Sequence, residues 1–587
     1  MRKMVSGSNS HTSEGTYDMI VVGSGAGGML AAIRAHDLGL SSIVIEKSPL
    51  FGGTSAISGG EFWIPCNELM EANDSDELVT AYLRQASGGE LRPELLEQYL
   101  RAGRQMVHYL LSIGIRLEPH RGTPDYFSEL PEGIGGRSLM VVPFDGAAAL
   151  GDELFKMRPA SPIFTLMDRY AITADEGGAL SLRLPGWRRT FLRILASYWL
   201  NIPWRRRTRR DRRLTLGGAL VGALRKAMLD RGIPLRLNTE LVELSGTDSA
   251  VTGAVFRHLG QPLRLTARCG VVLATGGFEH NQSMREQHFP APTRAEWSMA
   301  PGTNTGDGIS AAAALGAATE LLDQGNWWPV TLLPGAANNT LTTHFMFRNP
   351  HSVCVNRLGR RFVDENCSYD RFGRAMIADH AATGASIPSW IIFDADCRKN
   401  YLCGGLLPGR IVPDQRLPLE WWDTFVFRAD SLAELAHKIA VSEATLLHSV
   451  ETLNRYAVAG RDPDFGRGDY PYDRILGGGD PAVGPNPCLA PIAKPPFYAM
   501  RIFLGDLGTK GGLRTDADAR VMSSRGVPIE RLYAIGNTAA SVFRNCYPGP
   551  GSTLGPAMTF AFVAAAHMAA RKNAAGSANG RLIAQVT

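Results

Sequence analysis

The chain has 587 residues, 44% hydrophobic and 20% charged, with a formal net charge of +5. That is ordinary soluble-protein composition, too long for one compact core, so two domains are expected, and the small charge names no partner. Eight cysteines without a C-x-x-C pair suggest reduced thiols in a cytoplasmic protein and no metal site. No run approaches the roughly 18 apolar residues of a membrane span.

Residues 1–16 lack the apolar stretch of a secretory signal and read as a disordered tail. Tyr17 to Gly23 (Y-D-M-I-V-V-G) is a short β-branched run ending at glycine, the pattern of a buried parallel strand. Gly23, Gly25 and Gly28 then form G-x-G-x-x-G, with Ala26 and Gly27 between them, and a good helix former follows from Met29. Such a turn lets backbone approach a pyrophosphate at a helix N-terminus. A second strand, Ser42 to Glu46, ends in an acid roughly 20 residues past the turn, the spacing of a carboxylate for ribose hydroxyls. Glu46 and Lys47 are therefore expected at the nucleotide, and the acid favours FAD or NAD over NADP. The loop 52–60, with Gly53, Thr54, Ser55, Ser58, Gly59 and Gly60, is dense in backbone donors and hydroxyls. An extended flavin needs such a loop beyond the pyrophosphate, so FAD is the expectation.

Residues 68–118 are helical by pattern, and 119–150 form a Gly/Pro-rich loop. Within 151–215, read as a helical and basic insertion, Phe191, Ile194, Leu195, Tyr198 and Trp199 recur at helical spacing, and W-R-R-R-T-R-R-D-R-R follows at 204–213. Aromatic residues beside dense arginine suit a helix on an anionic bilayer, so 188–213 is a candidate peripheral membrane contact. A solvated basic face is the competing reading, and nucleic acid is not expected as a partner. Residues 216–293 return to strands, the last running into Ala274, Thr275, Gly276 and Gly277, a glycine turn suited to lie beneath a flavin. Residues 294–499 read as a second domain. Another strand-to-glycine turn ends at Gly536 and Asn537, and a buried helix from Gly555 can aim its positive end at a flavin. The last fifteen residues, 573–587, read as a second tail.

The motifs 51–65 (F-G-G-T-S-A-I-S-G-G-E-F-W-I-P), 124–129 (P-D-Y-F-S-E), 304–308 (N-T-G-D-G), 359–369 (G-R-R-F-V-D-E-N-C-S-Y), 463–469 (P-D-F-G-R-G-D), 494–500 (K-P-P-F-Y-A-M), 505–513 (G-D-L-G-T-K-G-G-L) and 547–560 (Y-P-G-P-G-S-T-L-G-P-A-M-T-F) together resemble the 3-ketosteroid Δ1-dehydrogenases, within the wider flavoprotein group of soluble fumarate reductases. The resemblance spans about 17 to 570. It implies an α/β fold: a Rossmann-like FAD-binding domain built from 17–293 and 500–575, with an inserted α+β catalytic domain at 294–499. It also implies non-covalent FAD, a 3-ketosteroid substrate and an external, quinone-like electron acceptor. Asn304, Gly306, Asp307, Ser552 and Leu554 join the expected cofactor contacts. By the same resemblance Tyr369 is the base for the C2 proton and Tyr126 its assistant, while Tyr547 and the Gly551 amide polarise the C3 carbonyl. A Δ4-dehydrogenase or a fumarate reductase-like enzyme is the alternative, although the arginine-bearing dicarboxylate motif of the latter is replaced here by Tyr547 to Gly555. Residues 344–354 and Arg544-Asn545-Cys546 depart from the family pattern where a steroid pocket is expected.

Overall fold

The computed structural model describes residues 13–181, 184–335, 341–343 and 348–586. Its first sheet has eight strands around a parallel centre. Strand Ser13–Val22 lies between Ser42–Ile45 and Gln261–Leu273, parallel to both, and Pro528–Ala534 adds a further parallel strand beside Val271 to Leu273. Met19 and Val21 enter one hydrophobic core while Ile20 and Val22 enter the other, so both faces are covered and the run is apolar throughout. Helices Ala26–Asp37, Pro93–Ser112, Leu216–Asp230 and the N-terminal part of Leu554–Val586 supply one of those cores. Strands from near the start of the chain and from residues 528–534 thus share one sheet.

The second sheet has six antiparallel strands with Phe497–Thr509 at its centre, paired to Gly325–Leu332, Ser389–Phe393 and Phe427–Ala429. The expected boundary at 500 cuts this strand and is corrected: the second domain keeps residues to Leu513, because Gly512 and Leu513 still pair with Thr319 and Glu320. The chain regains the first sheet only with Arg520–Met522 and Pro528–Ala534.

Three further expectations shift. Residues 13–16 belong to the first strand rather than to a tail, since they continue its register along Leu263 to Thr266. Leu216–Asp230 is a helix where strands were expected to resume. The last helix continues to Val586 through the alanine-rich stretch expected to be a tail, in keeping with alanine's helix propensity. Residues 1–12 lie outside the described residues.

Residues 151–215 contain short helices, of which Trp187–Trp199 is the longest, around a small core of Tyr170, Ile194 and Tyr198. Among the described residues no helix is long and apolar enough to cross a membrane.

Candidate active site

Gly23 ends the first strand with φ +116, and a Cβ there would lie 2.0 Å from the Ala274 carbonyl oxygen, so only glycine lets the two parallel strands end side by side. Beyond it opens a cleft of about 1030 Å³. Of the residues expected at a cofactor, Gly23, Gly25, Ala26, Gly27, Gly28, Glu46, Lys47, Gly53, Thr54, Ser55, Ser58, Ala274, Thr275, Gly276, Asn304, Asp307, Gly536, Asn537 and Leu554 line it.

The cleft's chemistry fits a dinucleotide. Helix Ala26–Asp37 has no acid in its first turn and no side-chain cap from Gly25. Its positive end therefore faces the cleft, with only the Ala26 amide engaged, by Ser55 Oγ at 3.0 Å. Glu46 is held by the Ser24 amide and hydroxyl on one oxygen and by the Ser48 amide on the other. Lys47 reaches across to Thr305 and Asp307 at 2.7 and 2.6 Å and fixes the far wall. Among the described residues neither histidine nor cysteine lines the cleft.

Five expected contacts lie elsewhere. Gly59 and Gly60 line the adjoining pocket. Gly277 packs against Thr509 and Glu279, and Gly306 against Met284 and Phe278. Ser552 closes its own turn, its Oγ accepting from the Gly549 amide. Residues missed by the sequence include Ser24, Thr553 and Ala557, which are neighbours of recognised motifs, and Thr239 and Leu241, which carry no local signal.

The adjoining pocket, about 970 Å³, shares Thr54, Ser58, Leu507, Thr553 and Leu554 with the cleft, so the two spaces meet. Tyr126, Tyr369, Tyr547 and Gly551 all line it. The Tyr126 hydroxyl donates to the Tyr369 hydroxyl at 3.1 Å. Ring centroids lie 5.4 Å apart for Tyr369 and Tyr547 and 5.6 Å for the stacked Tyr126 and Tyr547. Tyr369 opens the helix Tyr369–Thr383. Gly551 has φ +90 and sits where a Cβ would meet the Glu61 carbonyl at 2.4 Å, so the loop 547–551 lies flat on the strand that leaves residues 59–60.

Burial and the neighbouring phenols push Tyr126 and Tyr369 well above the ordinary value of 10. Burial also raises Tyr547, to about 12, although the Tyr369 and Thr553 hydroxyls draw it back. Sequence reasoning did not find the remaining walls. The Trp328 ring lies 4.1 Å from that of Tyr369, and Tyr472 meets Tyr126 edge-on at 5.0 Å. His120 faces Glu61 at 3.2 Å, which lifts the imidazole's pKa against its burial. No lysine or arginine lines the pocket among the described residues.

The loops carrying the tyrosines are tied together from behind. Tyr82, fully buried, donates to the Pro548 carbonyl at 2.6 Å and accepts from the Phe127 amide at 3.2 Å, and the Tyr126 amide also reaches Pro548. Of the segments that depart from the family pattern, Arg544 turns away to Glu320 and Cys546 lies behind Tyr547, so neither borders the pocket. Residues 344–347 lie outside the described residues.

All eight cysteines are free, with the Cys397 and Cys403 sulfurs 3.5 Å apart. One His351, Asp394 and Asp396 cluster could offer metal ligands, but both Asp394 oxygens accept backbone amides and the Lys494 ammonium pairs with Asp396 at 2.6 Å.

A family model described as an FAD binding domain matches residues 18–554. A 3-oxosteroid 1-dehydrogenase of Mycobacterium tuberculosis is 38% identical over 94% of this chain and 98% of its own length. A 4-oxocyclohexanecarboxylate 2-dehydrogenase of Sinomonas cyclohexanicum is 34% identical over 94% and 93%. The crystal structure of 3-ketosteroid Δ1-dehydrogenase from Sterolibacterium denitrificans, in complex with 1,4-androstadiene-3,17-dione, superposes with a TM-score of 0.90 at 48% identity, covering 95% of this chain and all of that one. Glycine turn, acid-ended strand, paired cavities and tyrosine cluster thus accompany near full-length similarity, and the chain belongs to the FAD-binding flavoproteins and, among them, to the 3-ketosteroid Δ1-dehydrogenase family.

Proposed function

We propose that the protein is an FAD-dependent 3-oxosteroid 1-dehydrogenase. One observation carries the reading: three phenols and Gly551 converge on an apolar pocket that opens into the dinucleotide cleft. When bound, FAD supplies the hydride acceptor for the C1 hydrogen. The chain's own groups handle the proton. Tyr547 and the Gly551 amide are assigned to the C3 oxygen, where they stabilise the charge that develops as C2 loses its proton. Tyr369 is assigned as the base that takes that proton, and Tyr126, hydrogen-bonded to it, supports its charged form. The lack of histidine and cysteine among the described residues lining the cleft supports non-covalent FAD.

A smaller ring ketone is the second reading, favoured by the 34% identity to the cyclohexanecarboxylate enzyme. A carboxylate substrate would want a cation, yet among the described residues the pocket offers only His120, already facing Glu61. The same gap speaks against a dicarboxylate. Anaerobic addition of androst-4-ene-3,17-dione tests the reading: the flavin should bleach as the 1,4-diene forms. Bleaching by 4-oxocyclohexanecarboxylate but not by the steroid would overturn it.

We further propose peripheral contact with the cytoplasmic face of a membrane through the insertion. Its residues Ile163 and Phe164 line the steroid pocket, and the same insertion exposes Leu192, Trp199, Leu200 and Ile202. Substrate partitioned into lipid would then enter near the bilayer, and a quinone-like, lipid-soluble acceptor would meet the reduced enzyme there.

A further inference from the structure

Behind Tyr547 lies a small space that meets the dinucleotide cleft at Ile535, Gly536, Asn537 and Thr553. Lys510 lines it, with 2% of its surface exposed. A buried ammonium is costly unless several partners hold it. Here the Lys510 ammonium donates to Asp370 Oδ1 at 2.7 Å and to the Asn545 carbonyl at 3.0 Å. Asp370 immediately follows Tyr369, and Asn545 stands two residues before Tyr547. Asp370 also accepts the Trp327 amide and the Arg374 guanidinium, which lock its carboxylate to the second sheet and to its own helix.

We propose that Lys510 is a positioning residue that holds the base Tyr369 and the carbonyl donor Tyr547 at their working separation. The inference rests on the functional reading above. Lys510 sits at the end of strand Phe497–Thr509 and joins two segments that share no sheet, the start of helix Tyr369–Thr383 and the loop before Tyr547. Without its charge, the Asn545 carbonyl and the Asp370 carboxylate have no common partner.

The groups facing the ammonium are Asp370 and Arg374 from the helix and Cys546 from the loop. Burial outweighs the attraction of Asp370 and lowers the lysine's pKa to about 8. The clamp is therefore complete below about pH 8 and weakens above it, whereas the tyrosine base gains activity as pH rises. The turnover profile of the wild type should climb with pH and bend over near 8.

The test uses the FAD-loaded full chain with androst-4-ene-3,17-dione and compares wild type, Lys510→Met, Lys510→Arg and the charge-paired double variant Lys510→Met/Asp370→Asn. FAD absorbance and the spectral change on steroid binding report an intact fold and pocket. The Met variant should keep both while kcat falls about 10²-fold, the typical effect of a misplacement of about 1 Å. The Arg variant, which stays charged, should recover much of the rate and lose the bend. Wild-type kcat in the Met variant, or a bend that the Arg variant leaves in place, overturns the proposal. If the single Met variant does not fold, the double variant decides by the same kcat criterion, since it removes both members of the buried pair and leaves only the partly exposed Arg374 without its carboxylate. A wild type that turns over no 3-ketosteroid would instead overturn the proposed function, which separates the two failures.

Discussion

Among the described residues no Lys or Arg lines the pocket beside Tyr369, and burial is the largest cost of its ionisation. A base with so high a pKa is scarcely ionised at neutral pH, so turnover should rise with pH up to the bend assigned to Lys510. Stopped-flow flavin reduction between pH 6 and 10 checks the sign: a rate that falls with pH would remove a phenolate from the mechanism. Tyr369→Phe should keep steroid binding while flavin reduction nearly stops. Tyr547→Phe should lower the rate by about 10² to 10³, the usual effect of losing one of two oxyanion donors. Tyr126→Phe should act mainly by moving the profile to higher pH. If Tyr369→Phe reduces flavin at the wild-type rate, the proton leaves by another group. These three residues were legible because each sits in a motif with a resemblance behind it. Lys510 also sits in such a motif, G-D-L-G-T-K-G-G, yet nothing local says which carbonyl its ammonium will meet. Trp328, Tyr472 and His120 were illegible for the same reason: contacts with residues distant in the chain set their place, and a single sequence does not encode those contacts by spacing.

Strand ends and helix starts do most of the positioning. The turn Gly23 to Gly28 and the acid-ended second strand could be read because strand, glycine and helix follow one another in the chain, and the physics is local. The strand Phe497–Thr509 could not be bounded in this way. Its sequence changes little at residue 500, and only its pairing with Gly325–Leu332 and Ser389–Phe393 reveals which sheet it serves. The glycine-rich loops were over-read for a related reason. Gly277 and Gly306 serve close packing against Thr509, Glu279, Met284 and Phe278, and composition does not separate that use from a ligand cradle. Gly23 is different, since its φ and the Ala274 carbonyl both exclude a side chain. Gly23→Ala should destabilise the protein by at least about 1 kcal/mol and release FAD, because an alanine at positive φ is strained even before the clash. Thermal unfolding followed by flavin fluorescence measures both, and an alanine variant that keeps its FAD at the wild-type melting temperature would contradict the assignment.

At the scale of the whole molecule, the insertion is where helical spacing misdirected the sequence reading. Ile194 and Tyr198, expected on an outward aromatic face, turn inward onto Tyr170, because the insertion needs a core of its own. Trp199 does face outward, and beside it in the chain so do Leu192, Leu200 and Ile202. Nor is the arginine run a uniform cationic surface. Arg205 donates to the carbonyls of Arg209 and Arg210, Arg207 pairs with Asp152, and Arg213 pairs with Glu176. Arg210 caps the carbonyls of Leu154 and Met157, and burial lowers its pKa to about 10. Replacing the whole run would therefore unfold the insertion and say nothing about lipid. The exposed arginines 188, 189, 206 and 209 are the ones placed to meet anionic headgroups. Two variants separate the roles. Arg188, Arg189, Arg206 and Arg209→Ser should weaken binding to phosphatidylserine vesicles at low salt, by about 1 kcal/mol per charge brought to the surface. Leu192, Trp199, Leu200 and Ile202→Ser should weaken binding even at high salt, where charge is screened but apolar burial is not. Both should turn over detergent-solubilised steroid at the wild-type rate and lose rate only when the steroid is presented in vesicles. Co-sedimentation and turnover in the two formats decide the matter: wild-type protein that ignores anionic vesicles at low salt leaves these side chains as a solvated face, and substrate entry then owes nothing to the bilayer.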